Sequence, residues 1–91
     1  MLYFEGLKDY IKIWLKNNSK PILTLMSLKT LEEELSSDKF MRVHRSFIVA
    51  LDNIDTIERS QIVINKQRIT VSDQYKQQFS DFRNFSKSYS G

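Results

Sequence analysis

The chain has 91 residues, 41% hydrophobic and 27% charged, which suits one modest globular domain. Cysteine is absent and histidine occurs once, which removes disulfides, thiolate metal sites, a Cys nucleophile and two-His metal sets. The net charge is +3, and the excess lies beyond residue 35: residues 36–91 carry nine basic and six acidic residues, a pattern that fits a solvated surface as well as a polyanion partner.

The chain opens on a short apolar piece, Leu2–Glu5, ending at Gly6. "DYIKIWLK" then alternates with period two. Ile11, Ile13 and Leu15 share one face and Lys12, Trp14 and Lys16 the other, a strand with one half-wet face. "NNSKP" is a turn, and Pro21–Met26 reads as the return strand, with Pro21 at the first position, where a missing N–H does least harm. Ser27 stands as an N-cap before a helix in which Leu28, Leu31 and Leu35 fall on one side and Glu32–Glu34 on the wet side. Three acids near its C-terminus oppose the helix dipole, so packing must hold it.

Next comes "FMRVHRSFIVAL", Phe40–Leu51, and a turn at "LDN". "IDTIERS" and "QIVIN" read as two short strands broken near Ser60. Asn65–Lys66 fits a two-residue hairpin tip before "QRITV", with Asn65 at positive φ. Ser72 is placed to cap a last helix whose Tyr75, Phe79 and Phe82 form one apolar stripe. The end, "SKSYSG", is polar: residues 86–91 read as a frayed tail behind a domain of residues 1–85. About six or seven strands with turn signals every ~8–12 residues, plus one short helix mid-chain and one at the C-terminus, read as mainly β and suit an antiparallel meander or small sandwich more than βαβ units. The longest apolar run, Phe47–Leu51, is far below the ~20 residues that cross a bilayer. No signal peptide is visible, and a reducing, cytoplasmic setting fits the lack of Cys.

Chemistry narrows further. Ser46, His44 and Asp52 exist, but the first two are two apart on an extended segment without nucleophile-elbow glycines. Gly6 and Gly91 are the sole glycines, so no loop can cradle a phosphate. An enzyme, a cofactor and a metal site are therefore not expected. The segment Arg42–Phe47 is different. As a regular strand it would put Val43, Arg45 and Phe47 on one face. Val43 and Phe47 seek the core, so Arg45 would be dragged inward, at a high desolvation cost. A turn or bulge at His44–Ser46 releases Arg45 and keeps Phe47 and Val49 inside. The cationic corner so formed suits presentation to a partner, because Arg offers a planar donor fork to phosphate or guanine edges. The blander alternative is that His44 and Arg45 cap loose carbonyls and pair with an acid such as Asp38 or Asp52. A lone His among apolar neighbours is usually satisfied in that way. For Arg45 the pattern conflict favours presentation. Trp14 and the Tyr75–Phe79–Phe82 stripe are most simply core; Trp14 alone, between Lys12 and Lys16, has the setting for stacking on a base.

The sequence of "YFEGLKDYIKIWL", a hairpin, "SLKTLEEEL", "FMRVHRSFIVALDNIDTIE" and "ITVSDQYKQQF" strongly resembles the LytTR DNA-binding domain, over about residues 2–82. "RVHRSFIV" followed by "NI" is the most specific piece and "EGLKDYIKI" the second. The resemblance implies stacked antiparallel sheets with helices at the edges. It implies sequence-specific duplex binding, by loops entering successive major grooves of bent DNA, commonly at direct repeats, with a possible dimer on the DNA. Such domains usually follow a receiver domain in response regulators of bacterial two-component systems. None is encoded in these residues, so a domain fragment is expected. By this resemblance the contact regions fall on Leu7–Asp9, His44–Ser46 and Ser72–Tyr75. The candidate site is Lys8, Asp9, His44, Arg45, Ser46, Ser72 and Gln74, with Arg45 for base contact and Lys8 next. Asp73, Gln74, Ala50 and Thr70 depart from the common pattern, where a basic residue follows the Ser and Asn and Pro are usual, which puts the third contact region in question. The competing reading is a protein-interaction module that pairs through an exposed sheet edge.

Overall fold

The computed structural model describes residues 1–81. Among these the chain forms two antiparallel sheets. Strands β1 (Tyr3–Gly6), β2 (Ile11–Trp14), β3 (Ile22–Thr24), β4 (Phe40–His44) and β5 (Phe47–Ala50) make a five-stranded sheet in the order β3-β2-β1-β5-β4. Strands β6 (Thr56–Glu58), β7 (Gln61–Ile64) and β8 (Gln67–Thr70) make a three-stranded meander. Helix α1 (Leu28–Glu34) comes mid-chain; a 3₁₀ turn, Asp73–Tyr75, leads into helical residues 76–81, called α2. Phe82, the boundary at residue 85 and the tail 86–91 lie outside the described residues.

Leu2, Tyr3 and Phe4 are consecutive and buried, as are Ile48, Val49 and Ala50. Neighbouring strand residues point to opposite faces, so β1 and β5 are covered on both sides. On one side Phe4, Ile11 and Ile48 pack with Leu28, Leu31 and Leu35. On the other, Tyr3, Val43 and Val49 meet Ile62, Ile64, Ile69, Val71 and Phe79. The result is three layers: α1, the large sheet, and the meander with α2. Helix α1 therefore covers a sheet face rather than an edge.

The double cover bears out the core placement expected of Trp14 and supplies what covers the face read as half-wet. Trp14, partly buried, turns toward the meander and stacks on Tyr3, ring centroids 5.9 Å apart at 23°. That placement removes it as a platform for bases. Alternation along β2 correctly separates the faces, but it carries no information about what lies over each.

Local chemistry fixes the ends of the elements. Ser27 Oγ accepts the Thr30 N–H at 3.2 Å and caps α1. The helix has no acid in its first turn and no base in its last, so Leu28 and Leu31 hold it by packing. A β-carbon at residue 6 would stand 2.6 Å from Leu28 Cδ1. Gly6 thus lets the start of α1 approach the end of β1. At the β7–β8 tip Asn65 and Lys66 both have positive φ, 49° and 70°, the geometry of a two-residue type I′ turn. Asp55 Oδ2 accepts the Asn65 N–H at 2.7 Å. The outer strand β3 exposes Ile22 and Leu23, and Leu25 follows it, 72% exposed. The opposite outer strand, β4, is partly covered, because the Val43 carbonyl accepts the Ser72 N–H at 2.9 Å.

Candidate nucleic-acid interface

Strands β4 and β5 begin in regular register, Phe40 facing Ala50, Met41 facing Val49 and Arg42 facing Ile48; the register then shifts, and His44 faces Phe47. This irregularity resolves the conflict in the sequence. Val43 is fully buried, Val49 too, while Arg45 at the two-residue tip is exposed. Arg45 pairs with no carboxylate among the described residues.

His44 takes the blander of its two roles, with a different partner. Its Nδ1 accepts the Ser46 N–H at 3.1 Å, and its ring meets Phe47 edge-on at 5.5 Å. Neither Asp38 nor Asp52 pairs with it among the described residues. The imidazole closes the tip that displays Arg45.

The other expected regions converge here. The Ser46 carbonyl accepts the Gly6 N–H at 2.7 Å, tying the tip to the end of β1. The next residues make a turn closed by Leu7 N–H to the Tyr10 carbonyl at 2.8 Å, with Lys8 and Asp9 exposed at its apex. Lys8, Lys29, Arg42, Arg45 and Ser46 line one cleft of about 430 Å³ between this turn, α1 and the β4–β5 tip. Four cations around one opening, with no acid in its lining, suit a polyanion.

The third region reaches the same end of the molecule through β4. Ser72 is bonded to Val43 through its backbone, and the Tyr75 ring lies 5.9 Å from the Arg42 guanidinium carbon. The expected cap is corrected: the Ser72 hydroxyl makes no capping bond. The segment starts as a 3₁₀ turn, in which the Tyr75 N–H reaches the Ser72 carbonyl at 2.9 Å. Gln74 is exposed. Asp73, which stands where a phosphate contact would need a neutral or basic group, accepts a bond from Lys76 at 2.7 Å. That hydrogen bond, and then the charge of Lys76, hold its carboxyl below the usual carboxylate range.

Two residues of the cleft were missed from sequence. Lys29 stands in the first turn of α1, and only the lone internal glycine, Gly6, hinted that this turn comes close. Arg42 joins three elements. Its Nε donates to the His44 carbonyl at 3.4 Å, Nη2 to the Arg45 carbonyl at 2.8 Å and Nη1 to Glu32 Oε1 at 3.2 Å. Glu32 is ten residues away on α1, a separation that carries no periodic signal.

Among the described residues no group of His, Asp and Glu could hold a metal, and no helix is long and apolar enough to cross a membrane. Stacked small sheets carrying a cationic cleft between turns define a binding module. The chain belongs to the LytTR family: the profile of the LytTr DNA-binding domain matches residues 1–84. Among solved structures, the LytTr DNA-binding domain of a response regulator from Bacillus cereus is similar, with a TM-score of 0.76 and 27% identity, over 88% of this chain and 77% of that one. No curated protein matches the sequence. The family is one of DNA-binding domains, not of enzymes.

Proposed function

We propose that this domain binds duplex DNA in a sequence-specific manner, as the output domain of a bacterial transcriptional regulator of a two-component system, working in the cytoplasm. The observation that carries the reading is the shared cleft, where Lys8, Lys29 and Arg45 surround one opening and Arg45 has no carboxylate partner among the described residues. In this reading the β4–β5 tip enters a major groove and Arg45 donates its fork to a guanine edge. Lys8 and Asp9 follow at the neighbouring turn. The Ser46 hydroxyl and Lys29 meet phosphates, which position the domain without reading sequence. Ser72 and Gln74 lie at the next contact, where Gln74 can pair with adenine. Two copies on direct repeats, each behind a receiver domain, complete the proposal.

Selection of sites from a random duplex pool, then footprinting, tests it. The expected result is an enriched sequence protected over one face of the duplex, with affinity falling steeply as salt rises, because each neutralised phosphate releases counterions. A flat salt response and no enriched sequence would overturn it. A second reading, protein pairing through a sheet edge, draws support from β3, where Ile22, Leu23 and Leu25 are exposed. It predicts a contact that survives high salt and is indifferent to Arg45→Ala.

A further inference from the structure

Arg42 is the better-connected guanidinium of the cluster, yet it is the one turned away from solvent: its side chain is 19% exposed. Each of its three nitrogens is already engaged, one by the His44 carbonyl at the end of β4, one by the Arg45 carbonyl of the tip and one by Glu32 on α1. Tyr75, from the start of the C-terminal helical segment, lies against the same guanidinium. One side chain therefore touches the β4–β5 tip, α1 and the Ser72–Tyr75 segment. Those three elements carry Arg45, Lys29 and Gln74.

We infer that Arg42 is the positioning residue of this interface: it fixes the backbone of the tip and the spacing of its neighbours, and does not itself meet the nucleic acid. The inference rests on the DNA-binding reading above for its readout on duplex, but its structural half does not. The geometry needs a fork. Two carbonyls and a carboxylate are reached at once by a rigid planar group with donors on three nitrogens. A lysine ammonium carries the same charge on one nitrogen at the end of a flexible stem, so it cannot hold all three. Glu32 matters for the same reason. It pulls the outer nitrogen toward α1 and leaves the other two facing the tip.

The test compares Arg42→Gln, Arg42→Lys and Arg45→Ala. In the free domain, backbone order parameters at Arg45 and Ser46 should fall in both Arg42 variants and stay unchanged in Arg45→Ala. On the selected duplex, both Arg42 variants should lose about tenfold in specific affinity, within the range one well-placed base contact supplies. Their affinity for unrelated duplex should stay at the wild-type value. The slope of log affinity against log salt should also stay, since a lost phosphate contact would lower it by about 0.9. Full activity in Arg42→Lys would reduce the role to charge and overturn the inference. So would a lowered salt slope, which would make Arg42 a phosphate ligand, and so would an ordered tip in Arg42→Gln. If Arg42→Gln fails to fold, Glu32→Ala removes the outer bond alone, at an exposed position of α1. It must then loosen the tip in the same direction, and an unchanged tip would sink the inference. If the wild-type domain selects no duplex sequence, the DNA reading fails, and the order parameters still decide the positioning.

Discussion

Two hairpin tips of equal length, Arg45–Ser46 and Asn65–Lys66, are built in opposite ways. The second is set mainly by its own backbone, with one bond from outside, the Asn65 N–H to Asp55 Oδ2. Both of its residues take positive φ, and such a turn matches the right-handed twist of the strands it joins. Arg45 and Ser46 keep negative φ. A two-residue turn of that kind splays its strands, and the register beside it shifts accordingly. Its shape is then supplied from outside, by Arg42 on the carbonyls, His44 on the Ser46 N–H and Gly6 on the Ser46 carbonyl. A tip held through its backbone from beneath keeps its own side chains free. The contrast fits the cation at the first tip facing a cleft shared with three other cations, a cleft that Lys66 does not line.

The comparison can be broken from below. Ile64 and Val43 belong to one buried cluster, so Ile64→Ala should destabilise both tips together, by about 2–5 kcal/mol in urea denaturation. A loss confined to the meander would show that the two sheets unfold separately. The next test concerns function. Arg45→Ala should weaken specific DNA binding by about 1–3 kcal/mol with little change in melting, and Lys66→Ala should leave titrated affinity within about 0.5 kcal/mol. Equal effects would erase the asymmetry. A sharper version uses glycine at each tip. Lys66→Gly relieves a left-handed conformation at φ 70° and should stabilise by about 0.5–1 kcal/mol. Ser46→Gly, at negative φ, should destabilise by a similar ~0.4–1 kcal/mol, because it adds only freedom to the unfolded chain. Opposite signs in thermal melts are the expected outcome.

The smallest effect concerns pH. Burial, and then the charge of Glu5, push the Tyr3 phenol above its ordinary value. The unfolded chain therefore ionises first as pH passes about 10. The stability tied to Tyr3 is whole below that point and is lost as pH rises through the higher folded value. Urea midpoints should fall on the alkaline side in the wild type and less steeply in Tyr3→Phe.

Much of this was legible in the chain. Short-period signals gave the strands, the Asn65–Lys66 tip, the Ser27 cap and the ejection of Arg45, since each is settled within a few residues. What escaped was long-range. Trp14 is expected in the core, but the element that covers it, a sheet more than forty residues later, leaves no local trace. Arg42 was treated as one more cation because its carboxylate lies on another element. The Ser72 hydroxyl looked like a cap, but the chain enters a 3₁₀ turn there, and its backbone carbonyl took the bond instead. Arg45 was singled out by the alternation of its strand and the other candidates by resemblance, and the fold adds which of them are neighbours: Lys8, Arg45 and Ser46 share a cleft, and Ser72 and Tyr75 reach it by way of β4.

The close approach of Leu28 to Gly6 has a consequence for how such a surface could diverge. With no side chain at that position, Leu28 occupies the room that a methyl group would claim at 2.6 Å. Residue 6 acts as a shim of zero thickness between the sheet and α1, and it sets the calibre of the jaw that Lys8 and Lys29 both line. Adding carbon there wedges the jaw apart while every charge stays in the inventory, so the width of the accepted partner and the strength of attraction to it can drift independently.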